Sequence, residues 1–199
     1  REIIIEITYT TNGNGTINRE VDKLTAVTGT PVASGSSSGT QLTSVATPNP
    51  GYHFVKWILV SDGSDASGGS VMSASSVLSA MAADDVQNET SVTDTMLTVA
   101  RGSDGLLHSA TYEAVFEANP LATLMYDPNT GEGAIPSVTE PFGSLLTLSD
   151  GTGFTKAHYT LTGWNTSADG TGTPYELGAD GYELPEGGAT LYAMWRVNT

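Results

Sequence analysis

The chain has no cysteine among its 199 residues, which excludes a disulfide framework and any cysteine-based zinc site. It is also poor in positive charge. Seven Lys plus Arg face 22 Asp plus Glu, for a formal net charge of −15. Such a field repels phosphate backbones and anionic headgroups, so nucleic acid and an anionic membrane are excluded as electrostatic partners. No apolar run approaches the roughly 18 residues needed to cross a bilayer, and no basic leader precedes a short apolar stretch, so direct membrane insertion is not expected. The three histidines, His53, His108 and His158, share no spacing that would pair them as metal ligands. Two of them adjoin a Tyr that opens a strand, which predicts partial burial at a sheet edge. There is no Gly-x-Ser-x-Gly elbow, no phosphate-cradling loop followed by Lys and no His-Glu-x-x-His. Carboxylates are numerous, but nothing singles out a glycosidase pair, and each predicted sheet is too small for a cleft. No catalytic residue and no cofactor is predicted.

What the chain does have is alternation. Tyr159-Thr160-Leu161-Thr162-Gly163-Trp164 and Thr190-Leu191-Tyr192-Ala193-Met194-Trp195 both follow the period-two rule of strands, and aromatic and β-branched residues suit a pleated, half-buried surface. Strict alternation puts Tyr159, Leu161 and Gly163 on one face and Thr160, Thr162 and Trp164 on the other. The same blocks occur earlier, in the same order. Tyr52, Phe54 and Trp57 repeat the spacing of Tyr159, Leu161 and Trp164, and Thr111 to Phe116 lines up with Thr190 to Trp195. Tyr9 to Gly15 matches Tyr126 to Gly133 with a one-residue slip. Fixed-order self-similarity marks a tandem array. The expected organisation is therefore two modules, residues 1–118 and 119–199, with a surface insertion of about 28 residues within 61–105 of the first.

In chain order, Glu2 to Thr10 reads as a first strand, with Ile3, Ile5 and Ile7 alternating against Ile4, Glu6 and Thr8, and Asn12-Gly13-Asn14-Gly15 is a strong turn signal. A return strand over Thr16 to Thr28, a strand over Gln41 to Ala46 and the Trp strand over Gly51 to Val60 follow. Val71, Ala74, Leu78, Met81 and Ala82 fall at helical spacing, so the insertion is expected to hold a short helix over Val71 to Ala83. Thr95 to Arg101 and Leu106 to Phe116 flank Gly102 to Gly105 as a predicted hairpin. In the second module strands are expected at Leu121 to Tyr126, Ser144 to Leu148, Tyr159 to Trp164 and Ala189 to Arg196.

These motifs carry a resemblance. The opening Tyr126-Asp127-Pro128-Asn129, then Gly163-Trp164-Asn165-Thr166 followed by Ala168 to Tyr175, and the closing Leu191-Tyr192-Ala193-Met194-Trp195 resemble a Listeria–Bacteroides repeat, the module type of internalin B-repeats. The first copy is similar to the divergent branch of that family through Gly13-Asn14-Gly15, Gly51 to Trp57 and Ala114-Val115-Phe116. It departs in having Lys56 at the place of Gly163. The resemblance implies a mainly β, β-grasp-like fold (α+β at most) of two small twisted sheets. It also implies non-catalytic stalk or adhesion modules of an extracellular bacterial surface protein, of the Gram-positive cell-wall type. Host protein, glycan or neighbouring repeats would be the partners of a monomeric chain whose export and anchoring signals lie outside this segment. The competing expectation is a carbohydrate-binding module of a secreted enzyme.

Three sets of residues are candidates for a site. Asn165, Ser167, Asp169, Gly170 and Glu176 occupy positions 1, 3, 5, 6 and 12 of a calcium-loop template, but Asn and Ser stand where carboxylates are wanted and Pro174 interrupts it, so a sharply turned connection is the simpler expectation and no metal is predicted. Trp57, Trp164, Trp195, Tyr52, Tyr159 and Tyr192 could line a sugar platform. Their recurrence in both copies points to packing instead, with Trp57 meeting Phe116 and Trp164 meeting Trp195 in the cores. Tyr175 and Tyr182, on the irregular connection of the second copy, are the expected exposed contact residues. Lys56, in an apolar strand, is expected to snorkel to water rather than to form an isopeptide bond.

Overall fold

A computed structural model describes residues 2–27, 42–62, 95–99 and 109–199. The helix expected over Val71 to Ala83 and the turn at Gly102 to Gly105 lie outside them. Every regular element among the described residues is a β-strand, and the chain divides into two compact units: Arg1–Asn49 with His53–Glu117, and Pro50–Tyr52 with Ala118–Thr199.

The first unit contains β1 (Glu2–Thr11), β2 (Gly15–Ile17), β3 (Val21–Val27), β4 (Thr43–Pro48), β5 (Tyr52–Asp62), β6 (Met96–Thr98) and β7 (Ala110–Ala118). Its main sheet runs β3-β1-β7-β5, with β1 antiparallel to β3 and parallel to β7. The alternation of β1 is realised: Ile5, Ile7 and Tyr9 are buried, while Ile4 on the other face is 66% exposed. The predicted return strand is split in two. β2 pairs with β4, and β3 pairs with β1. The expected hairpin is also replaced, because β6 joins β4 antiparallel whereas β7 lies between β1 and β5.

The second unit contains β8 (Leu121–Asp127), β9 (Glu132–Gly133), β10 (Val138–Pro141), β11 (Leu145–Leu146), β12 (Phe154–Thr155), β13 (Tyr159–Asn165), β14 (Pro174–Tyr175), β15 (Tyr182–Glu183) and β16 (Ala189–Val197). Its main sheet runs β10-β8-β16-β13-β14, with β8 antiparallel to β10 and parallel to β16. Replacing β3, β1, β7 and β5 by β10, β8, β16 and β13 gives the first four strands of the second sheet, which adds β14 at its edge. The register agrees as well: Ile7 and Tyr9 stand beside Ala110 and Tyr112, as Leu124 and Tyr126 stand beside Ala189 and Leu191. First and last long strands running parallel at the centre is the β-grasp arrangement. Such a pair cannot be closed by a tight turn and needs a long connection, here supplied by the intervening strands.

On β13 the face assignment differs from strict alternation. Leu161 stands opposite Trp195 and Trp164 opposite Ala193, because a β-bulge lies between Leu161 and Gly163. The extra residue resets the side-chain parity, so Leu161 and Trp164 face the same core although three positions apart. Phe54 and Trp57 have the same spacing in the first unit, and their rings touch at 6.2 Å. The second core gathers Leu124, Leu148, Phe154, Trp164, Tyr182, Leu184, Leu191 and Ala193. Each such fully buried large side chain contributes about 1.5–3 kcal/mol.

Candidate functional site

The tryptophans are turned inward. Trp164 is fully buried, its ring 4.7 Å from Tyr126 and 6.0 Å from Phe154, and its Nε1 donates to the Ser149 carbonyl at 2.9 Å. The Ser149 amide donates in turn to the Tyr126 hydroxyl. Trp57 is buried beside Tyr9 and Phe54, and Phe54 bridges to Phe116 at 5.8 Å. Trp195 packs at the margin of the core that Trp164 centres. It is half-buried, lies over Gly131 and donates through Nε1 to the Pro128 carbonyl at 2.8 Å. Phe116 lies over Gly15 in the same way, and a Cβ on either glycine would run into the ring. In each copy, therefore, the closing aromatic seals the turn that follows the opening strand.

Tyr182 is also moved from its expected place. It is buried in the core, with its ring edge-on to the half-buried Tyr175 at 5.2 Å, and burial raises its hydroxyl pKa. A connection with little regular structure still supplied core residues, because short strand pairs such as Leu146 with Tyr182 fold it over the sheet. His53 and His158 are exposed rather than partly buried, and Lys56 is exposed.

The calcium-template loop is closed by its own hydrogen bonds. Asn165 is buried, and its Nδ2 donates to the carbonyls of Gly170 and Gly172 at 3.3 and 3.4 Å while its Oδ1 accepts from the Ser167 amide. An amide NH2 thus points at the carbonyls a cation would need. Asp169 Oδ1 accepts from the hydroxyl and amide of Thr171 and from the Ser167 hydroxyl, which lower its pKa to about 2. Glu176 is exposed. Among the described residues no group of three His, Cys, Asp or Glu is placed to share a metal ion.

Two asparagines escaped the sequence reading. Asn12 donates through Nδ2 to the Phe116 carbonyl at 2.8 Å and accepts at Oδ1 from the Phe116 amide. Asn129 donates through Nδ2 to the carbonyls of Ala193 and Ala168 at 3.0 and 2.8 Å. Each stands three residues after an aligned Tyr and clips its opening strand to its closing strand. That shared offset was the available signal.

What is left for contact is the outward sheet face of the second unit and the end of the β13–β16 pair. The outward face carries half-buried Tyr192 and Met194, exposed Met125, and the hydroxyl-to-hydroxyl pair Thr123–Thr139 at 2.9 Å. The corresponding pair of the first unit is the ion pair Glu6–Lys23 at 2.9 Å. At the strand end Tyr159 is 39% and Val197 55% exposed. The Lys156 ammonium lies 4.3 Å from the Tyr159 ring centre and donates to Thr130 Oγ1 at 2.7 Å.

Two β-rich units of one topology, in tandem, with Trp57 and Trp164 inside at matching positions, define an array of small repeats. Residues 5–120 match the family described as Divergent InlB B-repeat domain and residues 123–194 the Listeria-Bacteroides repeat domain; the chain belongs to this repeat family. Over 75 residues, 37% of the chain, it is 36% identical to a protein of Evansella cellulosilytica provisionally named Gly-rich membrane protein, covering 9% of that protein. A second protein of that organism, provisionally named membrane protein, matches at 36% over 75 residues and 11% of its length. The chain spans about a tenth of the length of these curated relatives. No solved structure matches. No helix among the described residues is long and apolar enough to cross a membrane.

Proposed function

We propose that the chain is a pair of non-catalytic extracellular repeats that space a bacterial surface protein and contact host protein or glycan through the second unit. The observation that carries this reading is the inward placement of Trp57 and Trp164 at matching positions of two sheets with one order and register. Aromatic mass that would form an open platform in a sugar-binding module of a secreted enzyme is used to hold each core. Residues 1–118 and 119–199 then act as successive beads, each with its own core.

The test combines folding and retention. Urea melts of the full chain should show separable transitions, Trp164→Ala removing the one from the second copy. Retention on immobilised extracellular-matrix protein or glycan should fall with Met125→Ser plus Tyr192→Ser at an unchanged melting temperature. Turnover of a polysaccharide by the purified chain would overturn the reading.

A further inference from the structure

The second unit includes Pro50–Tyr52 as well as Ala118–Thr199, and those three residues help to build a seat within it. The Asn119 amide donates to the Gly51 carbonyl at 2.9 Å, and Asn119 Nδ2 donates to the Phe142 carbonyl at 2.8 Å. The Phe142 amide returns a bond to the Pro120 carbonyl at 3.0 Å. Phe142 lies in the turn Pro141-Phe142-Gly143-Ser144, which is tied to the body of the unit by Gly143 donating to the Leu184 carbonyl and Leu184 donating to that of Ser144. Gly51 is buried under this turn, in the left-handed region at φ +82°. A Cβ on Gly51 would stand 2.5 Å from Ser144 Oγ and 3.5 Å from Pro141 Cβ. A Cβ on Gly143 would stand 3.5 Å from Asn119 Nδ2 and 3.6 Å from the Gly51 nitrogen. The seat is thus a left-handed turn bonded to an asparagine, and a compact turn fills it.

The same seat recurs at the end of the unit. The Asn198 amide donates to the His158 carbonyl at 2.8 Å. His158 precedes Tyr159 as Gly51 precedes Tyr52, and Asn198 follows Trp195 by three residues as Asn119 follows Phe116. His158 keeps the left-handed turn at φ +66°, a conformation that glycine takes without steric cost and a side chain disfavours. This second seat is uncovered. His158 and Asn198 are exposed, and Asn198 Oδ1 accepts from Thr160 at 2.6 Å while its Nδ2 meets no acceptor among the described residues.

We propose that the His158–Asn198 end of the second unit docks a further repeat of this type, through that repeat's turn at the place of residues 141–144. The proposal rests on the spacing role above and names the surface through which one repeat meets another. The filled seat sets the chemistry of the occupant. It must offer a carbonyl to Asn198 Nδ2 and an amide to the carbonyl that follows Asn198, as Phe142 does for Asn119 and Pro120. It must also be small where Ser144 stands, because His158 carries a Cβ where Gly51 has none. Gly51, Asn119 and residues 141–144 are all uncharged, so the net charge of −15 does not act through this contact and salt should leave it unchanged.

The test uses the full chain with a further copy of residues 120–199 placed directly after Asn198, and it exploits the lack of cysteine. His158→Cys is combined with Pro141→Cys in the added copy. At the filled seat the matching Cβ atoms are 3.5 Å apart, within the span of a disulfide. Near-complete closure under mild oxidation is expected, equally in low and high salt. A control pair of His158→Cys with Thr171→Cys in the added copy should stay reduced, since Thr171 lies in the loop beyond the opposite end of β8, where Ala168 bonds Asn129. Asn198→Ala should slow closure about fivefold, the loss of one hydrogen bond. An added copy that fails to fold, cysteines that stay open, or a control pair that closes as fast overturns the proposal. Each of these leaves separable melting of the first two copies, and with it the spacing role, untouched.

Discussion

Leu161 and Trp164, three residues apart on one strand, point into the same core because a bulge lies between them. That relationship sets how the second unit is filled. The bulge brings Trp164 across from the small Ala193, with the indole against Tyr126 and Phe154, while Leu161 stands across from half-buried Trp195. The two tryptophans therefore differ in weight. Trp164→Ala should cost about 3–5 kcal/mol and unfold the second unit. Trp195→Ala, at a half-buried position, should cost clearly less and loosen the turn at Gly131. Urea melts of both variants decide this, and equal losses would contradict it.

Asn12 and Asn129 act as side-chain clips. Removing either amide leaves two backbone groups of the closing strand or its neighbour without their partner. Net values of about 0.5–1.5 kcal/mol per bond put Asn129→Ala about 1–3 kcal/mol below wild type. Hydrogen exchange should quicken around Ala193 first. Asn129→Asp should be worse at neutral pH than at pH 3, because an ionised carboxylate would face two carbonyl oxygens.

The cross-strand pairs Glu6–Lys23 and Thr123–Thr139 occupy the same place in the two sheets. Exposed ion pairs and Thr–Thr pairs each contribute about 0.2–1 kcal/mol. The double substitution Glu6→Thr with Lys23→Thr should therefore change stability by less than about 1 kcal/mol, and the difference should shrink further in high salt. A loss of several kcal/mol in a chemical melt would mean the pair does something the second copy lacks.

Asp169 titrates low because Thr171 and Ser167 donate to its ionised form. Its folded value of about 2 lies below that of an unfolded Asp, so its contribution is present above the unfolded value and is lost as pH falls toward 2. The Thr171 amide resonance should titrate with a midpoint near 2, and in Thr171→Ala the Asp169 midpoint should move back toward the ordinary carboxylate value. No movement would show that the Thr171 hydroxyl is not the main cause.

Tyr9 shows the opposite sign. Burial first, then its 2.9 Å hydrogen bond to the Asp22 carboxylate, hold its phenol well above the ordinary tyrosine pKa. An unfolded chain ionises this residue near pH 10, so the first unit is stabilised below that value and weakens as pH rises beyond it. Tyr9→Phe should flatten the alkaline fall in melting temperature. It should also lower stability at pH 7, since buried Asp22 would keep Arg19 but lose the hydroxyl.

The side-chain alternation of β1, the long strands at Tyr52, Tyr159 and Ala189, and the alignment of the two copies were all legible in the amino-acid order. These depend on local periodicity and turn chemistry, which a strand carries wherever it is placed. Even the shared register of Tyr9 beside Tyr112 and Tyr126 beside Leu191 follows from that alignment. Tertiary structure decided the rest. Whether β6 joins β4 or β7 depends on which neighbour leaves an edge open, and Met96 to Thr98 carries no mark of its partner. Tyr182 and Tyr159 exchanged their expected places, surface for core and core for surface, and Trp195 packs at the margin of the core, because several two-residue strand pairs and the strand register set which side of each aromatic meets the sheet.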